Sequence, residues 1–96
     1  MTATEVVTRW LRLIMEDAEL SPYLIGVDLD RLAAHLTASL ARVLDGEPAA
    51  ADGWRGLGLS EAQHLRVVAY LVGVLWASDL PEQRIAEVRR AFEVNA

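Results

Sequence analysis

Residues 28–46 read DLDRLAAHLTASLARVLDG, and this stretch fixes the class of fold. Leu29, Leu32, Ala33, Leu36, Leu40, Val43 and Leu44 recur at steps of three and four, which places them on one face of an α-helix. Asp28 stands where an N-cap carboxylate can accept from the first free amides, and Asp30 suits the positive end of the helix. Gly46 is placed to end the helix, because glycine takes the left-handed conformation there without strain.

The same signals punctuate the chain on both sides. Towards the N-terminus, Ser21-Pro22 predicts a cap and a first-turn proline on a single helical turn. Before it, Thr2 and Glu5 have capping-box spacing, and Val6, Val7, Trp10, Leu11 and Ile14 follow at helical intervals. Towards the C-terminus, a loop with three alanines and four glycines runs from Gly46 to Leu59. Ser60 and Gln63 then form a second capping box that opens a helix to about Ala77. Asp79, Pro81 and Glu82 are expected to start a last helix that buries Ile85, Val88 and Phe92. No segment alternates with the period of a strand, and no repeat is present. The expected architecture is all-α, a single domain over residues 1–96 built as a small bundle of four main helices.

Composition narrows the chemistry. At 96 residues the apolar fraction of 53% is high, since small domains have much surface to cover, so a ligand or a partner is expected to cover the excess. The net charge is −5, and only Arg89 and Arg90 are adjacent among the basic residues, so no patch points to nucleic acid or an anionic membrane. With no lysine, Schiff-base chemistry through a lysine side chain is excluded, and with no cysteine so are disulfides, thiolate metal sites and thiol catalysis. The longest uncharged run, Val67 to Ser78, is too short for a bilayer, and no N-terminal signal is evident. A soluble cytoplasmic protein without membrane contact is expected.

Two histidines are the main candidates for chemistry. His35 falls about 120° from the centre of its helix's apolar stripe, beside Arg31 and Arg42, and reads first as a rim histidine. His64 lies one turn before Val68 and two before Leu71, and reads first as a half-buried histidine bonded to a carbonyl. They sit on different helices with no metal-ligand spacing, so no metal site is expected. The serines lack a nucleophile elbow, the glycines lack a phosphate-cradling pattern, and the carboxylates cluster at helix ends. No catalytic residue is expected.

The order LSPYLIGVDLDRLAAHLTASL (20–40), a glycine-rich loop, GLGLSEAQHLRVVAYLV (56–72) and DLPEQRIAEV (79–88) resembles the group I truncated haemoglobins over residues 5–92. The resemblance implies a two-over-two helical sandwich, the first two long helices against the last two, clasping a haem that binds oxygen or another diatomic ligand. It also gives Trp54 a meaning. The family's proximal histidine stands two residues before Gly-Leu-Gly, and that place before Gly56-Leu57-Gly58 holds Trp54. Indole offers no lone pair to iron. Trp54 is therefore expected to fill the volume a haem would take.

Further departures follow from the same alignment. The distal tyrosine's place holds Leu11, a common glutamine's place holds Leu36, and a pocket phenylalanine's place holds Ser39. The loop between Gly46 and Trp54 is shorter than the family's. A histidine at His35 is common in the family and ligates iron distally in some members, and His64 falls where a haem-facing phenylalanine is usual. The leading expectation is a globin-fold protein that has lost ordinary haem binding, carries no cofactor and acts as an interaction or accessory subunit. The alternative is a haem protein with unusual ligation, by His35 on one side of the iron and by His64 or no residue on the other.

The helix from about Ser60 to Ala77 supports an assembly. Between Ala62 and Ser78 its only charge is Arg66, and a helix apolar all round is expected to be covered all round. Leu65, Val68, Val72 and Leu75 are assigned to its inward face, widened by His64, Val67, Leu71 and Val74. Tyr70, Gly73 and Ala77, with Trp76 beside them, are left as the interface of a homo-oligomer or a complex with another protein.

Overall fold

Three of the helix starts in this chain are set by side chains that satisfy free amides of the first turn. In a computed structural model, which describes residues 2–48, 54 and 56–94, α1 spans Ala3–Glu16, α2 spans Leu29–Leu44, α3 spans Glu61–Ala77 and α4 spans Glu82–Val94. The Thr2 hydroxyl accepts from the Glu5 amide at 3.1 Å, and the Asp28 carboxylate accepts from the Arg31 amide at 3.1 Å. At α3 the capping box is complete. Ser60 Oγ accepts from the Gln63 amide, and Gln63 Oε1 accepts from the Ser60 amide at 2.9 Å.

The helix ends are equally local. Beyond α2, the Glu47 amide donates to the Arg42 carbonyl and the Gly46 amide to the Val43 carbonyl, with Gly46 at φ +83°. This is the paired closure that a left-handed glycine permits. The Arg84 guanidinium, from α4, donates to the carbonyl of Leu44 and ties α4 to the negative end of α2.

Three expectations need correcting. Ser21 does not cap its turn: the 3-10 turn Ser21–Leu24 follows Leu20, and no side chain bonds its first amides. The cap lies one step earlier, where Asp17 Oδ1 accepts from the amides of Glu19 and Leu20. Asp79 does not start α4. It closes α3 in the left-handed conformation, φ +59°, and donates its amide to the Trp76 carbonyl. The Pro81 carbonyl opens α4 instead, accepting from Arg84 and Ile85. Leu29 is exposed at the start of α2 rather than part of its buried stripe.

The helices pack in a ring, α1 on α2, α2 on α4, α4 on α3 and α3 on α1, so the pair α1–α2 lies against the pair α3–α4. All described residues in regular structure are helical. The radius of gyration is 12.2 Å, as dense packing of about 100 residues requires. At the centre, Trp10, Leu36, Leu40, Leu71, Leu75 and Phe92 are wholly or almost wholly shielded from solvent. No helix among the described residues is long and apolar enough to cross a membrane.

Candidate functional site

The loop before α3 delivers Trp54 into the core. Gly56 and Gly58 both take positive φ, +91° and +85°, a region that side chains strain against, and the Leu57 amide donates back to the Trp54 carbonyl. These bends turn the indole inward, where only 2% of its surface remains exposed. It meets Trp10 of α1 with ring centroids 5.4 Å apart and planes at 58°. Trp10 in turn meets Phe92 of α4 edge-on at 5.6 Å and donates Nε1–H to the Val67 carbonyl of α3 at 2.8 Å. Three aromatic rings with Trp10 in the middle thus fill the space where the helix pairs meet.

Leu11, Leu36 and Ser39 differ in how far they are buried. Leu36 and Ser39 are fully buried, while Leu11 is only half-buried, because Trp10 rather than its neighbour points inward. The Ser39 hydroxyl is buried without a hydrogen-bond partner among the described residues. His35 is half-buried on α2.

His64 is half-buried, and its Nε2 lies 3.1 Å from the Phe92 carbonyl. A carbonyl only accepts, so Nε2 carries the proton and joins α3 to α4. This is the carbonyl-bonded histidine expected from its position. His64 and Trp54 also line an open cleft of about 620 Å³ with Leu59, Ser60, Glu61 and Glu93. Among the described residues no group of three or more histidines and carboxylates could hold a metal ion.

The outer side of α3 differs from its expected phase. Val67, Val68, Leu71, Val74 and Leu75 are buried, Val72 is half-buried, and Leu65, assigned inward, is 46% exposed. Trp76 is 54% exposed, and Gly73 and Ala77 are exposed beside it. Tyr70 is half-buried, packs against the core and is engaged within the chain. The open apolar surface is therefore Leu65, Gly73, Trp76 and Ala77, with Ala62 and Ala69 between them.

Tyr70 belongs to a polar cluster that the periodicity of the sequence does not display. Asp17, buried at the end of α1, receives the Tyr70 hydroxyl on Oδ2 at 2.5 Å and Arg66 Nε on the same oxygen at 2.9 Å. Arg66 also reaches Glu19 at 3.1 Å. The Tyr70 hydrogen bond does most to hold the Asp17 carboxyl below its ordinary value of 3.8. The Glu19 and Leu20 amides and the Arg66 charge add to that, against a burial effect in the other direction. One sequence signal does mark the cluster. A carboxylate at the negative end of a helix is misplaced for the dipole, so Asp17 requires partners from elsewhere, and Arg66 and Tyr70 share one face of α3 four residues apart.

No protein-family model, curated protein or solved structure matches this chain.

Proposed function

We propose that this chain is a haem-free interaction module built on a truncated-globin-like bundle, acting by binding another protein surface rather than by catalysis. The observation that carries the reading is Trp54, seated against Trp10 at the meeting point of the helix pairs. A haem held between these pairs would have to displace both indoles. Burial of a large aromatic side chain stabilises the fold by several kcal/mol, so the bundle has a filled centre of its own. The packing of α1–α2 against α3–α4 is in keeping with the two-over-two arrangement that the resemblance implies. Ligation by His64 through Nε2 would further require breaking its bond to Phe92. The exposed apolar side of α3 supports the binding half of the reading, because an uncovered surface of this kind marks a contact site.

The test is the visible absorption spectrum of the purified protein, alone and after haem is added, with circular dichroism on the same sample. A folded helical protein with no stoichiometric Soret band is expected. Trp54→His alone is expected not to restore tight binding, since Leu11, Leu36 and Ser39 also differ from a haem pocket. A sharp Soret band at one haem per chain in the unmodified protein overturns the reading, and its loss in His35→Ala would then assign the ligand.

A further inference from the structure

The outer side of α3 carries both halves of a contact. A step of 100° per residue places Ala62, Leu65, Ala69, Val72, Gly73 and Trp76 on one face, and all are exposed except the half-buried Val72. The one charge within this face, Arg66, is held by Asp17 and Glu19. Gly73 has no reason to be glycine within the chain. Its φ is not positive, and a Cβ built on it meets nothing within 4 Å. Beside it, α1 and α3 frame a groove of about 380 Å³ lined by Arg9, Arg12, Leu13, Gly73, Val74 and Ala77.

We propose that this face is the interface of a homodimer, with the α3 helices of two copies side by side, running in the same direction about a two-fold axis. The proposal rests on the reading of the chain as an interaction module and names the partner as a second copy. The face divides along Ala69. Leu65, Val72 and Trp76 form a bulky flank, while Gly73, Ala77 and the groove form a small one. A two-fold axis parallel to the helix exchanges the flanks, so each bulky flank meets the partner's small one. Side chains on a helix lean towards its N-terminus, which brings the Trp76 indole level with Gly73 of the other copy. There it enters the groove beside Arg9 and Arg12, and two guanidinium groups next to an indole face are electrostatically matched. Antiparallel helices would instead place Trp76 against Leu65 and leave both grooves unfilled. The knob and the hole that fits it are thus both present on one chain, which favours a second copy over a different protein.

One helix face and one groove per copy make a small contact, and stable complexes begin at roughly 1,200 Å² of buried surface in total. A dissociation constant on the order of micromolar is expected.

The test is sedimentation equilibrium of the whole chain up to about 100 µM, with cross-linking of single-cysteine variants by a short bis-maleimide. The chain has no cysteine of its own, so any cross-link reports the introduced position. The unmodified protein is expected to be a dimer. Gly73→Glu is expected to keep its helical circular dichroism, since the side chain enters open space and glutamate favours a helix more than glycine. It is expected to weaken association by at least about a hundredfold. Ala69→Cys and Ala62→Cys are both expected to cross-link. A cross-link at Ala69→Cys but not Ala62→Cys overturns the direction, because antiparallel copies meet near residue 69 alone. A monomer at every concentration, with no cross-link, overturns the homodimer. If that monomer binds no haem, the interaction reading stands with a different partner, and if it takes one haem per chain both readings fall.

Discussion

The two sides of α3 are almost equally apolar and meet opposite fates. On the inner side, Val67, Val68, Leu71, Val74 and Leu75 are buried under α1 and α4, around a centre filled by Trp10, Trp54 and Phe92. On the outer side, Leu65 and Trp76 remain largely in solvent, with small residues between them. Hydrophobicity alone does not separate the two. Their side-chain volumes do, because the inner side is uniformly bulky whereas the outer side alternates large residues with Ala62, Ala69, Gly73 and Ala77. A core is filled once, by the chain itself. A surface that alternates knobs and holes is shaped for something that arrives from outside.

The largest effect should come from removing an indole on each side. Trp54→Ala is expected to cost about 3–5 kcal/mol of folding stability, as for other buried tryptophans. Trp76→Ala, measured at concentrations low enough to dissociate any assembly, should change stability by less than about 0.5 kcal/mol. Urea titrations give both values. Similar costs at the two positions would mean that Trp76 is covered within the chain, and the contrast between the two sides would be lost.

The polar cluster of Asp17, Arg66 and Tyr70 is expected to make stability depend on pH in the acid range. Because the Asp17 pKa is lowered on folding from 3.8, the unfolded chain binds the proton more tightly. Stability from this group is therefore fully present above about pH 5 and is lost as pH falls through 3.8 towards the lowered folded value. Asp17→Asn should be less stable than the parent at neutral pH and should show a flatter decline across that acid window. Urea midpoints measured from neutral pH down to about pH 3 check this. An unchanged slope would remove Asp17 from the account.

Gly73→Ala gives a smaller and oppositely signed effect. In the dissociated chain it is expected to gain about 1 kcal/mol, the ordinary helical preference of alanine over glycine, because the added methyl meets open space. A thermal melt of the dilute protein measures it. Destabilisation would show that the chain itself requires glycine there, and would remove one support of the α3 contact. Smaller than the effect at Gly73 is that of Ser39→Ala, expected to raise stability by about 0.5 kcal/mol, because it removes a buried hydroxyl that has no partner among the described residues and favours the helix. The same melt detects it, and a loss of stability would show that the hydroxyl is satisfied in solution.

The local features were determined by the sequence itself. Asp28 and Ser60 announce helix starts, Gly46 announces an end, and the stripe from Leu32 to Val43 announces a buried face, because caps and amphipathic periods act over a few residues. The carbonyl bond of His64 also followed from its place one turn before a buried run, although its acceptor, Phe92, did not. Tertiary structure decided the rest. The sequence pattern leaves Leu65 free to face inward, because a helix that is apolar nearly all round carries no polar face to set its rotation, and packing against α1 and α4 fixes its phase with Leu65 outside. Asp17 meets Arg66 and Tyr70 across 49 and 53 residues of chain, a separation that no local pattern encodes. Trp54 lies on a loop, whose direction is set by two left-handed glycines and by the space left beside Trp10. Short-range rules determine where helices begin and end, and the competition for a single core volume decides which of their apolar residues stay outside.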